Sequence, residues 1–227
     1  MHIPDGFLSP EVAAGTAVVA AGAVGIGLRR AGARLDDRVV PLLGVTGAFV
    51  FAAQMINFPV AGGTSGHFLG AALATILLGP WLATLVLGVV LATQSFVFAD
   101  GGVSALGANV VDMGVVGALV VGGLMLAARR LLPRRRGVLL CVAAAGAWLA
   151  VVAGAAATAA CLALSGTVPL ATVLPAMLAV HAVIGAGEAV VTVAALSTLM
   201  ATRPDLIGGW AAPARARQHV RVLPQGA

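Results

Sequence analysis

The chain opens Met1-His2, a pair that brings three nitrogens into chelating reach of one another. A free α-amine titrates at about 7.7–8.0, and the backbone amide and ring Nδ1 of His2 follow it directly. Amine plus amide closes a five-membered ring on a metal, and amide plus Nδ1 closes a six-membered one. All three lie in one plane once the metal displaces the amide proton. The fourth corner needs a nitrogen from elsewhere, and His67 is the obvious donor, in a loop on the same outer face. Imidazole suits Zn, Cu, Fe and Ni, and a square-planar nitrogen set selects Ni(II) or Cu(II). Blander readings stand beside this one: His2 as a solvated terminal residue, His67 as a loop histidine bonded to backbone. No basic stretch precedes the first apolar run, so no cleavable signal peptide is expected and Met1 is expected to stay in place.

Other polar side chains fall where they are costly. Gln54, Gln94, Asn109, Asp112, His181 and Glu188 interrupt apolar runs, whereas Asp5, Glu11, Asn57 and Asp100 flank them on the outer side. Ionisable groups inside membrane spans are rare and usually functional. His181 and Glu188 are seven apart, on one helix face and about 10 Å apart along the axis, too far to share an ion. Asn109 and Asp112 share a face in the same way. The reading is a buried hydrogen-bond network joining helices, with a proton relay as the sharper alternative. Asp5, Asn57, Asp100, Asn109, Asp112, His181 and Glu188 are therefore candidates for structural support around a metal rather than for ligation.

The elements that must hold these residues are set by composition. Of 227 residues, 60% are hydrophobic and only 9% charged, and the mean hydropathy is +1.07. A soluble domain of this size cannot hide so much apolar surface, and a disordered chain would be poor in hydrophobics. The class is an all-α integral membrane protein. A crossing helix needs about 20 apolar residues, and the candidates are 10–28, 39–57, 64–79, 81–98, 104–128, 138–164 and 172–201. The third is short and bounded by Gly/Pro-rich turns, so a re-entrant reading competes with a crossing one.

All 13 cationic residues are Arg, gathered between the runs at 29–38, 129–136 and beyond 201. Seven transmembrane helices with the N-terminus outside and the C-terminus in the cytoplasm put every Arg inside, as the positive-inside rule requires. If the third run did not cross, Arg129–Arg136 would land outside. The domain reading is a seven-helix unit over 1–201 and a cytoplasmic tail of low order over 202–227. Nucleic acid is not an expected partner, because the basic clusters lack aromatic or polar readers. Cys141 and Cys161, about 30 Å apart on a straight helix, are expected to stay reduced. Ala13, Ala17, Ala21 and Gly25 on the first span, and Gly44, Ala48 and Ala52 on the second, form small-residue stripes suited to close helix packing, within the chain or against a partner.

The opening Met1-His2-Ile3-Pro4-Asp5-Gly6-Phe7-Leu8 resembles the N-terminal signature of the CbiM/NikM family, the substrate-binding components of cobalt and nickel energy-coupling-factor transporters. Gln54–Val60 followed by Gly62–Phe68 resembles a second signature. Phe98–Gly102 with Ala105–Asn109, and His181–Gly185 with Glu188, resemble two more, so the likeness runs from residue 1 to about 200. It implies a seven-helix bundle whose first residues tuck into the outer end, with metal held by the Met1 amine, the amide and ring of His2, and His67. It implies Ni2+ or Co2+ as transported substrate, in the bacterial or archaeal cytoplasmic membrane. The implied partners are a transmembrane coupling subunit, two cytoplasmic ATPase subunits and a small additional membrane subunit. The chain has no Lys for a Walker A motif, so no enzymatic activity of its own is expected. A stand-alone secondary metal transporter or channel is the alternative.

Overall fold

The computed structural model describes residues 1–32, 39–60 and 64–207. Arg34 and Arg38, and the tail from 208 on, lie outside the described residues. The helices are α1 (Pro10–Gly32), α2 (Val39–Gln54), α3 (Ala71–Leu78), α4 (Pro80–Phe98), α5 (Leu106–Asn109), α6 (Gly117–Leu131), α7 (Arg136–Leu164) and α8 (Leu170–Thr202). A π-helical stretch, Val110–Val116, joins α5 to α6 without a break. Among the described residues, five segments are long and apolar enough to cross a membrane: Pro10–Gly32, Pro80–Phe98, Leu106–Leu131, Arg136–Leu164 and Leu170–Thr202. The protein is a mostly helical, multi-pass membrane protein.

Two features correct the all-α, evenly spanned layout. Residues 57–60 and 64–67 form antiparallel strands, β1 (Asn57–Val60) and β2 (Thr64–His67), with Asn57 opposite His67 and Val60 opposite Thr64. The run 64–79 is therefore not one helix. It is a strand, a short extended link and α3, whose eight residues reach only about 12 Å against the ~30 Å hydrocarbon core. Gly70, at φ +73°, sets the left-handed entry to α3, a conformation that costs a side-chain-bearing residue.

Non-helical backbone at membrane depth survives only where protein satisfies it. Here the Leu69 and Gly70 amides donate to the two Glu188 oxygens at 2.7 and 2.6 Å, and Gln54 Nε2 donates to the Leu69 carbonyl at 2.8 Å. Two polar residues that looked anomalous in apolar spans thus close the hydrogen bonds of the irregular link. α3 itself is buried almost throughout.

The arginines gather where helices end. Arg30 stacks over Trp81 with its Cζ 5.3 Å from the ring centroid, Arg136 donates to the Ser197 carbonyl at 3.4 Å, and Arg129 borders a cleft with Gly79 and Pro80. Cys141 and Cys161 are both free.

Candidate metal centre

The N-terminal segment is inserted into the bundle. Met1 and Ile3 are fully buried and His2 is 4% exposed. Ile3 is held like a strand residue by one side chain, its amide donating to Asn109 Oδ1 at 2.8 Å and its carbonyl accepting from Asn109 Nδ2 at 3.2 Å. The Gly102 amide adds a 2.8 Å bond to the same carbonyl. A Cβ at Gly102 would lie 2.4 Å from the Asp5 nitrogen, and one at Gly154 would press on the Met1 thioether at 3.3 Å. Glycine is what lets the terminus enter. Further out, Asp5 Oδ1 accepts from the Ser104 amide and hydroxyl at 2.7 and 2.5 Å, and the Thr167 hydroxyl donates to the Phe7 carbonyl.

Inside this clamp the His2 and His67 rings stack with centroids 4.5 Å apart. His2 Nε2 lies 3.2 Å from Gln94 Oε1, and since an amide oxygen only accepts, Nε2 carries the proton. That leaves Nδ1 as a lone pair, 3.2 Å from Asp100 Oδ1 without hydrogen-bond alignment. A lone pair set against a carboxylate is a repulsion that a cation bound beside them would relieve. His67 donates from Nδ1 to the Phe68 carbonyl at 2.7 Å, so its buried Nε2 is also a lone pair, with no hydrogen-bond partner.

Burial keeps these bases unprotonated. It lowers the Met1 amine to about 4, against the upward pull of Asp100 and Asp112. His2 falls to about 4 through burial and the neighbouring amine, opposed by Asp100 and Gln94. Neutral amine and imidazole nitrogens are the form that binds a metal ion.

The remaining polar residues divide by place. Asp112, in the π-helical stretch, accepts from Thr158 Oγ1 at 3.0 Å and lies near Cys161 Sγ at 3.8 Å. It lies within electrostatic reach of the Met1 amine. His181 donates from Nδ1 to the Met177 carbonyl of its own helix at 2.8 Å and does not share in the Glu188 bonds. The Asn57 side chain lies outside the described residues, and Asp5 is an exposed anchor rather than part of the buried cluster. Gln94 was visible as a polar interruption of an apolar run, but nothing in the spacing tied it to His2. Among the described residues no three His, Cys, Asp or Glu side chains converge to hold an ion. A metal here would have to draw on terminal or main-chain nitrogen as well.

The model of the CbiM family, described as the cobalt uptake substrate-specific transmembrane region, matches residues 2–206. The chain belongs to the CbiM family. A protein of Haloquadratum walsbyi is 40% identical over 91% of this chain and 93% of its own length. The fused nickel transport protein NikMN of Rhodobacter capsulatus is 35% identical over 98% of this chain and 68% of its own. A crystal structure of a truncated transition metal transporter superposes with a TM-score of 0.81 at 32% identity, covering 88% of this chain and 99% of that one. The family transports cobalt and nickel and is not an enzyme family.

Proposed function

We propose that this chain is the metal-binding, specificity-setting component of an ATP-driven Ni2+/Co2+ uptake transporter of the energy-coupling-factor type. The observation that carries the reading is the buried N-terminus: its amine, the His2 Nδ1 lone pair and the His67 Nε2 lone pair are all withdrawn from solvent, with the two rings stacked. The amine, the His2 amide and Nδ1, and His67 Nε2 are the four donors. Asp100 offsets the ion's charge, Gln94 fixes the His2 tautomer, and Asn109 holds the segment in place.

The chain crosses the membrane seven times with its N-terminus outside, the third crossing being made by β2, the irregular link and α3. That reading is supported by the ends of the segment: His67 belongs to the Met1 pocket, whereas Gly79 and Pro80 stand beside Arg129. The basic end then faces the cytoplasm. The membrane is the cytoplasmic membrane of a bacterium or archaeon. With no Lys for a phosphate-binding loop, the chain depends on a transmembrane coupling subunit and two ATPase subunits, and a small further membrane subunit can join them. The fused architecture named for the Rhodobacter capsulatus relative fits an assembly with a neighbouring subunit.

The test is accumulation of labelled Ni(II) and Co(II) in vesicles holding this chain alone, or with the coupling subunit and ATPases. Uptake only in the complete, ATP-supplied vesicles is expected. Equal accumulation by the chain alone would make it a secondary transporter or channel instead.

A further inference from the structure

His181 is a buried imidazole that the four-nitrogen centre does not use. It is fully buried, and its Nδ1–H is committed to the Met177 carbonyl at 2.8 Å. Its Nε2 is therefore a lone pair, and no hydrogen-bond partner reaches it. Buried polar atoms are satisfied in the great majority of cases, so an orphaned nitrogen calls for an explanation. The nitrogen is also well placed. Glu188, seven residues on, grips Leu69 and Gly70. Seven helical residues rise about 10 Å, and the extended link from His67 to Leu69–Gly70 covers about 7–10 Å. These two rungs bring His181 level with His67, within electrostatic reach of both that ring and the Met1 amine. Yet it does not form a three-side-chain cluster with the other two histidines.

A lone pair beside a planar centre, close but not resident, has a specific use. Square-planar ions exchange ligands associatively: an entering donor adds above the plane, gives a five-coordinate species, and one planar donor leaves. In a pocket closed to water, few other entering donors are at hand. We propose that His181 Nε2 is the exchange ligand of this centre, the fifth nitrogen through which a divalent Ni or Co ion enters and leaves the four planar donors. The proposal rests on the metal-site reading above.

An exchange ligand changes rates and spares the equilibrium. The experiment follows Ni(II) loading, and its removal by a chromophoric chelator, in stopped flow on the full chain in detergent. His181→Phe fills the same space without a lone pair. Both rates are expected to fall at least tenfold, with Kd within about twofold of wild type and the d–d spectrum of the loaded site unchanged. His181→Met, which restores a lone pair, is expected to recover most of the rate. If the Phe variant does not fold, His181→Leu makes the same deletion. Wild-type exchange rates in a folded variant overturn the proposal, as does a tenfold loss of affinity with an altered spectrum, which would make His181 a resident ligand. A parallel His67→Ala titration separates the two levels: retained affinity there means the planar site itself is misassigned, whatever His181 does.

Discussion

Residues 1–3 and α1 are neighbours in sequence and opposites in placement. The first three residues carry an amine, an imidazole and polar backbone, yet they are buried to 4% exposure or less. The helix that follows carries no charge between Glu11 and Arg29 and buries only Ala20, Ala23, Gly27 and Ala31, leaving Val18 at 74% exposure. In water that pattern would be inverted. In lipid, exposed Val costs nothing, while interior space goes to groups that must be held, paired or kept dry. Between these two neighbours the apolar helix faces out and the chemically armed segment faces in.

The comparison breaks hardest at the donors. His67→Ala is expected to weaken Ni(II) and Co(II) binding more than about a hundredfold, beyond what loss of a supporting group alone costs, with the helical circular dichroism unchanged. Isothermal titration checks it, and near-wild-type affinity would remove His67 from the site.

Next comes the clamp. Asn109→Leu leaves the buried Ile3 amide without its side-chain acceptor, a cost of about 1–3 kcal/mol. The segment should then spend part of its time out of the pocket, with metal affinity about tenfold lower and Met1 open to amine-directed labelling. Unchanged labelling would mean that backbone packing alone retains the terminus.

Acidity probes the same buried groups. The amine has an ordinary value of 8.0 and a folded value of about 4, and His2 moves from 6.5 to about 4. The unfolded chain therefore binds more protons than the folded one between those limits. The stabilisation is present in full above about pH 8 and is lost as pH falls toward about 4. Thermal melting of the metal-free protein should drop steadily from pH 8 to pH 5. A flat profile would show that these bases are solvated in the folded protein.

Where α1 meets α5 the effects are on stability alone, and on the outer face of α1 they are smallest. Gly107→Ala should cost about 1–3 kcal/mol by overpacking, because its Cβ would lie 2.5 Å from the Ala17 Cα. Ala17 and Ala21 both border the open groove between α1 and α4, and Ala21 is the probe of partner docking that leaves the Gly107 contact alone. Val18→Leu, facing out, should shift stability by less than about 0.5 kcal/mol.

How much of this was legible follows from what each signal depends on. Apolar runs and arginine clusters are local, so the long helices could be read with ends shifted by a few residues. The third run misled because its hydrophobicity is that of a buried link. Only tertiary partners, Glu188 and Gln54, make irregular backbone tolerable there. The proposed metal donors stand out in the sequence because an N-terminal Met-His pair is a chelate by covalent geometry alone. The polar groups around them do not: pairing Gln94 with His2, or Asn109 with Ile3, spans 92 and 106 residues, and no spacing rule reaches that far.

The central claim is that a free terminal amine, carried inside the protein, is a metal ligand. Adding one Gly ahead of Met1 converts that amine to an amide and inserts a residue where Met1 is already fully buried. Titrating Ni(II) into the wild-type and extended chains, matched in melting temperature, is the direct measurement. The account predicts tight 1:1 binding by the wild type and none measurable by the extended chain. Equal affinity in the two would contradict it.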